Sequence, residues 1–133
     1  MNRSDFQELA ELHLQHARAL LDAKLYSGAY YMCGYAVECG LKACICRKIN
    51  ESDFPLSPED SRKAWSHELK HLIVLANLSD KIRAERRADS ILDVYWTVVE
   101  GWSVESRYYS WLQTEARIYI PRFRIRSIEF SHV

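Results

Sequence analysis

Residues 26–50 read YSGAYYMCGYAVECGLKACICRKIN. The run contains no proline, and Tyr30, Gly34, Val37, Leu41, Ile45 and Ile49 recur within it at helical spacing. At about 100° per residue these positions share one face, so the stretch predicts a long helix with an apolar stripe. Glu38 falls inside that stripe. Lys42 follows one turn later at its edge, in the favourable order for an i,i+4 ion pair. A bare carboxylate turned toward a core costs on the order of several kcal/mol unless it is paired or hydrogen-bonded. The helix is therefore expected at the centre of the fold, against an element that supplies Glu38 with a donor.

The rest of the chain is consistent with an all-α fold. At 133 residues it is long enough for one domain with its own core, and 48% of it is hydrophobic. Three prolines and four glycines are too few for the many turns of a sandwich or barrel. A formal net charge of zero gives no overall pull toward nucleic acid or a membrane surface. No apolar run reaches the ~18 residues of a membrane span. The start of the chain, MNRSDFQELAEL, is acidic and lacks a signal-like apolar segment, so a cytoplasmic location is expected. Cys33, Cys39, Cys44 and Cys46 all lie on the central helix, where they cannot bridge one another, and are read as reduced.

Ser4 or Asp5 can cap a first helix running to about Lys24, with Phe6, Leu9, Ala10, His13, Ala17, Leu20 and Leu21 on its apolar stripe. His13 is read as a core or edge histidine. A short connection implies that this helix lies antiparallel to the central one. Gly34 and Gly40 weaken the central helix by about 1 kcal/mol each relative to alanine, for which close helix approach beside Tyr30, Tyr31 and Tyr35 is the expected compensation. Residues 51–66 carry two prolines and no periodicity and read as the longest loop. A third helix is expected over about 67–78, capped by Ser66, and a fourth from Asp80 or Lys81 to about Gly101. Arg83, Arg86 and Arg87 stand near the start of that fourth helix and read as solvated. Beyond Pro121 the sequence PRFRIRSIEF alternates with period two, so an extended C-terminal arm over 116–133 is expected, docked on this protomer or a second copy, or on RNA.

Three constellations could carry chemistry. His67-Glu68-Leu69-Lys70-His71 has HExxH spacing, which places two histidines on one helical face for zinc. No third ligand accompanies it and Lys70 would sit beside the dication, so no metal and no cofactor are expected. Arg62 and His67 have R-x4-H spacing. Glu105, Arg107 and Tyr108 form the third group, and Arg107 is the expected answer to Glu38, since a guanidinium can hold a buried carboxylate bidentately.

These residues also carry a family resemblance. Tyr30-Tyr31-x-Cys33-x-Tyr35-Ala36-x-Glu38-x-x-Leu41-Lys42-Ala43 resembles the second helix of HEPN domains (higher eukaryotes and prokaryotes nucleotide-binding). Ser66-His67-Glu68-Leu69-x-x-Leu72 resembles the family's third-helix H-D/E-L-x-x-L pattern, and Glu105-x-Arg107-Tyr108 its later Arg-Tyr element. The resemblance covers about residues 5–115 and implies an antiparallel up-and-down four- or five-helix bundle, usually a homodimer, in a prokaryotic setting. It implies binding of a nucleotide, an RNA or a small nucleotidyltransferase partner, often in toxin–antitoxin or defence systems, at Glu38, Lys42, Arg107 and Tyr108. Other members are metal-independent ribonucleases with an R-x4–6-H motif. Here residues 111–114 are Trp, Leu, Gln and Thr, so Arg107 lacks that histidine. A non-catalytic binding protein is the expectation. The alternative is a ribonuclease with a rearranged site, Arg107 with His67 or His71.

Overall fold

The computed structural model describes residues 1–51 and 57–105, with backbone only at 50 and 51. Among these residues there are six helices and no strand: α1 (Arg3–Asp22), α2 (Tyr26–Glu51), α3 (Pro58–Ala64), α4 (Leu69–Leu75), α5 (Ser79–Ala88) and α6 (Ser90–Glu100). The chain is all-α in this part. The expected C-terminal arm, Arg107 and Tyr108 lie outside the described residues.

α1 begins two to three residues earlier than the sequence suggested. Asn2, rather than Ser4 or Asp5, is its N-cap. The Asn2 side chain accepts from the Asp5 N–H at 2.9 Å, and the Asp5 carboxylate accepts from the Asn2 N–H at 2.8 Å. This reciprocal pair satisfies two donors that a helix start otherwise leaves open. α1 ends in a tight reversal in which Lys24 takes a left-handed conformation (φ 62°) and the Leu25 N–H reaches back to the Leu20 carbonyl at 2.8 Å. α2 then runs antiparallel to α1. Leu20 lies 3.4 Å from where a Cβ on Gly28 would stand, and His13 stacks near Tyr35 with ring centroids 5.8 Å apart.

α2 is the centre of the molecule. Every residue from 36 to 45 is buried, so the helix is enclosed all round rather than on one stripe. Tyr30, Val37, Leu41 and Ile45 are core residues as expected, while Ile49 at the end of the stripe is exposed. α4 packs on α2, α3 on α4, and α5 on α6. Trp102, just past α6, lies on the backbone of α2 at Gly34, where an added Cβ would stand 1.8 Å from the indole ring. Its Nε1–H donates to the Tyr31 carbonyl at 3.2 Å, and the Tyr30 hydroxyl donates to the Val98 carbonyl at 2.7 Å. The close approach expected of Gly34 is thus made by an indole.

Three further expectations need correction. The 51–66 loop contains α3, started by Ser57, whose hydroxyl accepts from the Asp60 N–H at 3.1 Å, and by Pro58 in the first turn. The third helix is α4 and begins at Leu69, so His67 precedes it instead of lying on it. The single fourth helix is two: Asp89 is extended (φ −138°, ψ 109°), and its carboxylate caps α6 through the N–H groups of Ile91 and Leu92. An aspartate that can satisfy the donors of a new helix start competes with helix continuation at its own position.

Candidate functional site

Two charged side chains are buried among the described residues, and both lie on α2. Glu38 is 4% exposed and Lys42 is 8% exposed. They meet one turn apart, Lys42 Nζ lying 3.2 Å from Glu38 Oε2. The second carboxylate oxygen is met from outside the helix: His67 Nδ1 stands 2.8 Å from Glu38 Oε1. The donor that the buried acid requires is thus supplied, within the described residues, by Lys42 and by a histidine in the segment leading into α4.

The local sequence explains the placement of His67. The Ser66 hydroxyl accepts from the Glu68 N–H at 3.0 Å and turns the backbone just ahead of α4. His67 therefore projects toward α2, while His71, on α4, turns its Nδ1 to Glu68 Oε2 at 3.5 Å. The two histidines of the HExxH spacing do not share a helical face, which zinc binding at that spacing requires.

Around the cluster the rings are in contact. Tyr35 sits edge-on to His67 with centroids 6.4 Å apart and edge-on to Trp102 at 5.5 Å. The Tyr31 hydroxyl lies 3.1 Å from that of Tyr35. His13 closes the other side of Tyr35; its Nδ1 is buried without a hydrogen-bond partner. Burial, with His16 second, holds the His13 imidazole below its usual pKa, and the Glu38 charge partly offsets this. The Cys39 thiol is pushed up to about 11, by burial first and by Glu38 second, so it stays a thiol at neutral pH.

His67 opens onto a groove of about 1110 Å³ between α4, α5 and α6. Ile73, Ile82, Trp96 and Trp102 form apolar parts of its wall, and Lys70, Arg83, Arg86 and Arg87 bring positive charge to it. Glu68, Asp93 and Glu100 line it as well. Arg86 is the least available of the four cations. Its Nε donates to Asp93 Oδ1 at 2.6 Å, its guanidinium also pairs with Glu100, and its Nη2 reaches Thr97 Oγ1 at 3.2 Å. Those bonds, Asp93 first, raise its already high pKa further.

What the arrangement can do follows from donors and acceptors. An ionised carboxylate only accepts, so the proton of neutral His67 sits on Nδ1 and Nε2 keeps its lone pair. The His67 side chain is 53% exposed, against 5% for that of Glu38. Glu38 and Lys42 are buried and paired with each other; the exposed member of the cluster is His67. Of the residues singled out in the sequence, Glu38, Lys42 and His67 are brought together and His71 is turned away. The role of His67 as the partner of Glu38 was not read from the sequence. Its signal was a histidine directly after a serine able to turn the chain into a helix.

These features define an all-α protein with a buried carboxylate–lysine pair that holds a half-exposed imidazole at the edge of a groove. Set against family models, curated proteins and solved structures, the chain matches none of them significantly.

Proposed function

We propose that the chain is a non-catalytic HEPN domain protein that binds a nucleotide or RNA, or pairs with a small nucleotidyltransferase, through the face where His67 opens. In this reading the whole chain is one up-and-down helical domain that forms a homodimer in a prokaryotic cytoplasm, within a toxin–antitoxin or defence system. Arg107 serves phosphate in this reading and Tyr108 serves stacking. The observation that supports it best is the Glu38–Lys42–His67 cluster, which fixes a hydrogen-bonding group beside a groove bearing Lys70, Arg83 and Arg87. Glu38 and Lys42 act as positioning residues.

Titrating a fluorescent RNA oligomer and a nucleoside triphosphate against the purified chain tests it. Binding should weaken with salt as phosphate contacts are screened, and weaken again in Arg83→Ala with Arg87→Ala. No binding to either probe, together with Arg107→Ala leaving every partner interaction intact, would overturn the reading.

A second reading is favoured by the same carboxylate-held imidazole: a metal-independent ribonuclease that uses His67 as its acid–base group. Incubation with RNA in chelator separates the two. Cleavage that disappears in His67→Ala supports the enzyme, and intact RNA supports the binding protein.

A further inference from the structure

We infer that His67 is a phosphoryl-accepting histidine, with Nε2 as the nucleophile and Glu38 as its positioning residue. The donor is a small molecule of the phosphoramidate class. The inference goes beyond nucleotide or RNA binding and does not depend on it.

Three observations carry it. The first is tautomer. Glu38 Oε1 lies 2.8 Å from His67 Nδ1, which in the neutral ring places the proton there and leaves the Nε2 lone pair. The second is charge. When Nε2 attacks phosphorus, positive charge spreads over the ring, and a buried carboxylate on Nδ1 stabilises that charge more strongly than one in water. Lys42 at 3.2 Å compensates the Glu38 charge in the starting state, so the carboxylate is held in place before any reaction. The third is the destination. The imidazole is half-exposed on a groove that Lys70, Arg83 and Arg87 also line, and such cations suit the phosphoryl oxygens.

The step balances without a further reactant. Nε2 forms the N–P bond while the P–N bond of the zwitterionic, N-protonated phosphoramidate breaks; ammonia leaves with its electron pair and the three protons its nitrogen already carried. The Nδ1 proton stays on the ring, against Glu38.

The chain contains its own control. His71 also faces a carboxylate through Nδ1, but at 3.5 Å, and its partner Glu68 is 58% exposed by side chain. The His71 side chain is 40% exposed, close enough to that of His67 for access not to decide the outcome. Exposed His16 serves as a second reference.

The test is to treat the full chain with potassium phosphoramidate at neutral pH. Site mapping under alkaline conditions identifies the labelled histidine, and phosphorus NMR distinguishes the two ring nitrogens. His67 should be labelled on Nε2 about tenfold faster than His71 or His16, the lower end of what hydrogen-bonded partners of metal-bound histidines contribute. Glu38→Gln should remove most of that advantage, and His67→Asn should remove the fast phase. Equal rates at His67, His71 and His16, or labelling of His67 on Nδ1, would overturn the inference. The comparison within the wild-type chain keeps the test decisive should Glu38→Gln fail to fold.

Discussion

Two clusters of charge hold helices in this molecule, and they do so under opposite conditions. Glu38, Lys42 and His67 meet around α2, where the two ions are almost wholly buried. Arg86 meets Asp93, Thr97 and Glu100 at the surface, spanning positions i, i+4 and i+7 of α6 from its place on α5. Both join an element to a helix through one central group. In the buried cluster each charge has lost its water and depends on the others, so removing one member leaves an uncompensated ion. In the surface cluster water can replace any partner that is lost, with Asp93 and Glu100 about half exposed.

The comparison breaks most visibly at Lys42. Lys42→Met leaves the Glu38 carboxylate buried with His67 alone and should cost about 3–5 kcal/mol, read as the midpoint of urea unfolding. Adding Glu38→Leu should return much of that loss, because the pair is then replaced by apolar volume and His67 can hydrate. A double variant as unstable as the single would mean that desolvation does not govern this cluster. Gly34→Ala attacks the same region without touching a charge. Its Cβ would stand 1.8 Å from the Trp102 indole, so the ring must move and its bond to the Tyr31 carbonyl is strained or lost. Overpacking of this kind costs about 1–3 kcal/mol, and the displaced Trp102 should show as a shifted tryptophan emission.

Arg86→Ala sharpens the contrast from the other side. Its loss should cost about 1 kcal/mol in dilute buffer, and less at 1 M salt, where screening acts over about 3 Å. The Lys42→Met penalty should hardly change between the two salt conditions, since buried pairs are poorly screened. If both penalties shrank alike, the difference in burial would not be what separates the clusters.

The buried side of the comparison was largely legible in the sequence, and the surface side was not. A proline-free run with an acid inside its apolar stripe is enough to place α2 at the centre and to demand a donor for Glu38. Lys42 was legible too, because i,i+4 geometry is local. His67 was not: it lies 29 residues away, and only the turn made by Ser66 and the packing of α4 on α2 bring it there. Asp89 was missed because it sits in a stretch whose apolar period continues on both sides, so the break is decided by its capping bonds rather than by the pattern. In α3 the signals were present as Ser57, Pro58, Glu59 and Asp60, but seven residues give too little periodicity to outweigh two prolines.

The smallest expected effect lies at the edge of the buried cluster, on His13. Burial and His16 hold its pKa in the folded chain below the ordinary value, against the pull of Glu38. The unfolded chain therefore binds more protons in the window below the ordinary histidine pKa of ~6.5. The stability associated with neutral His13 is present above that value and is lost as pH falls through it toward the lower folded pKa. His13→Gln, which cannot titrate, should flatten the dependence of the unfolding midpoint on pH in this window and leave the midpoint at neutral pH nearly unchanged. His16→Gln removes a neighbouring positive charge and should flatten the same window more weakly. A profile steepened by His13→Gln would mean that Glu38 outweighs burial at this ring, and that the buried carboxylate reaches α1 as well as His67.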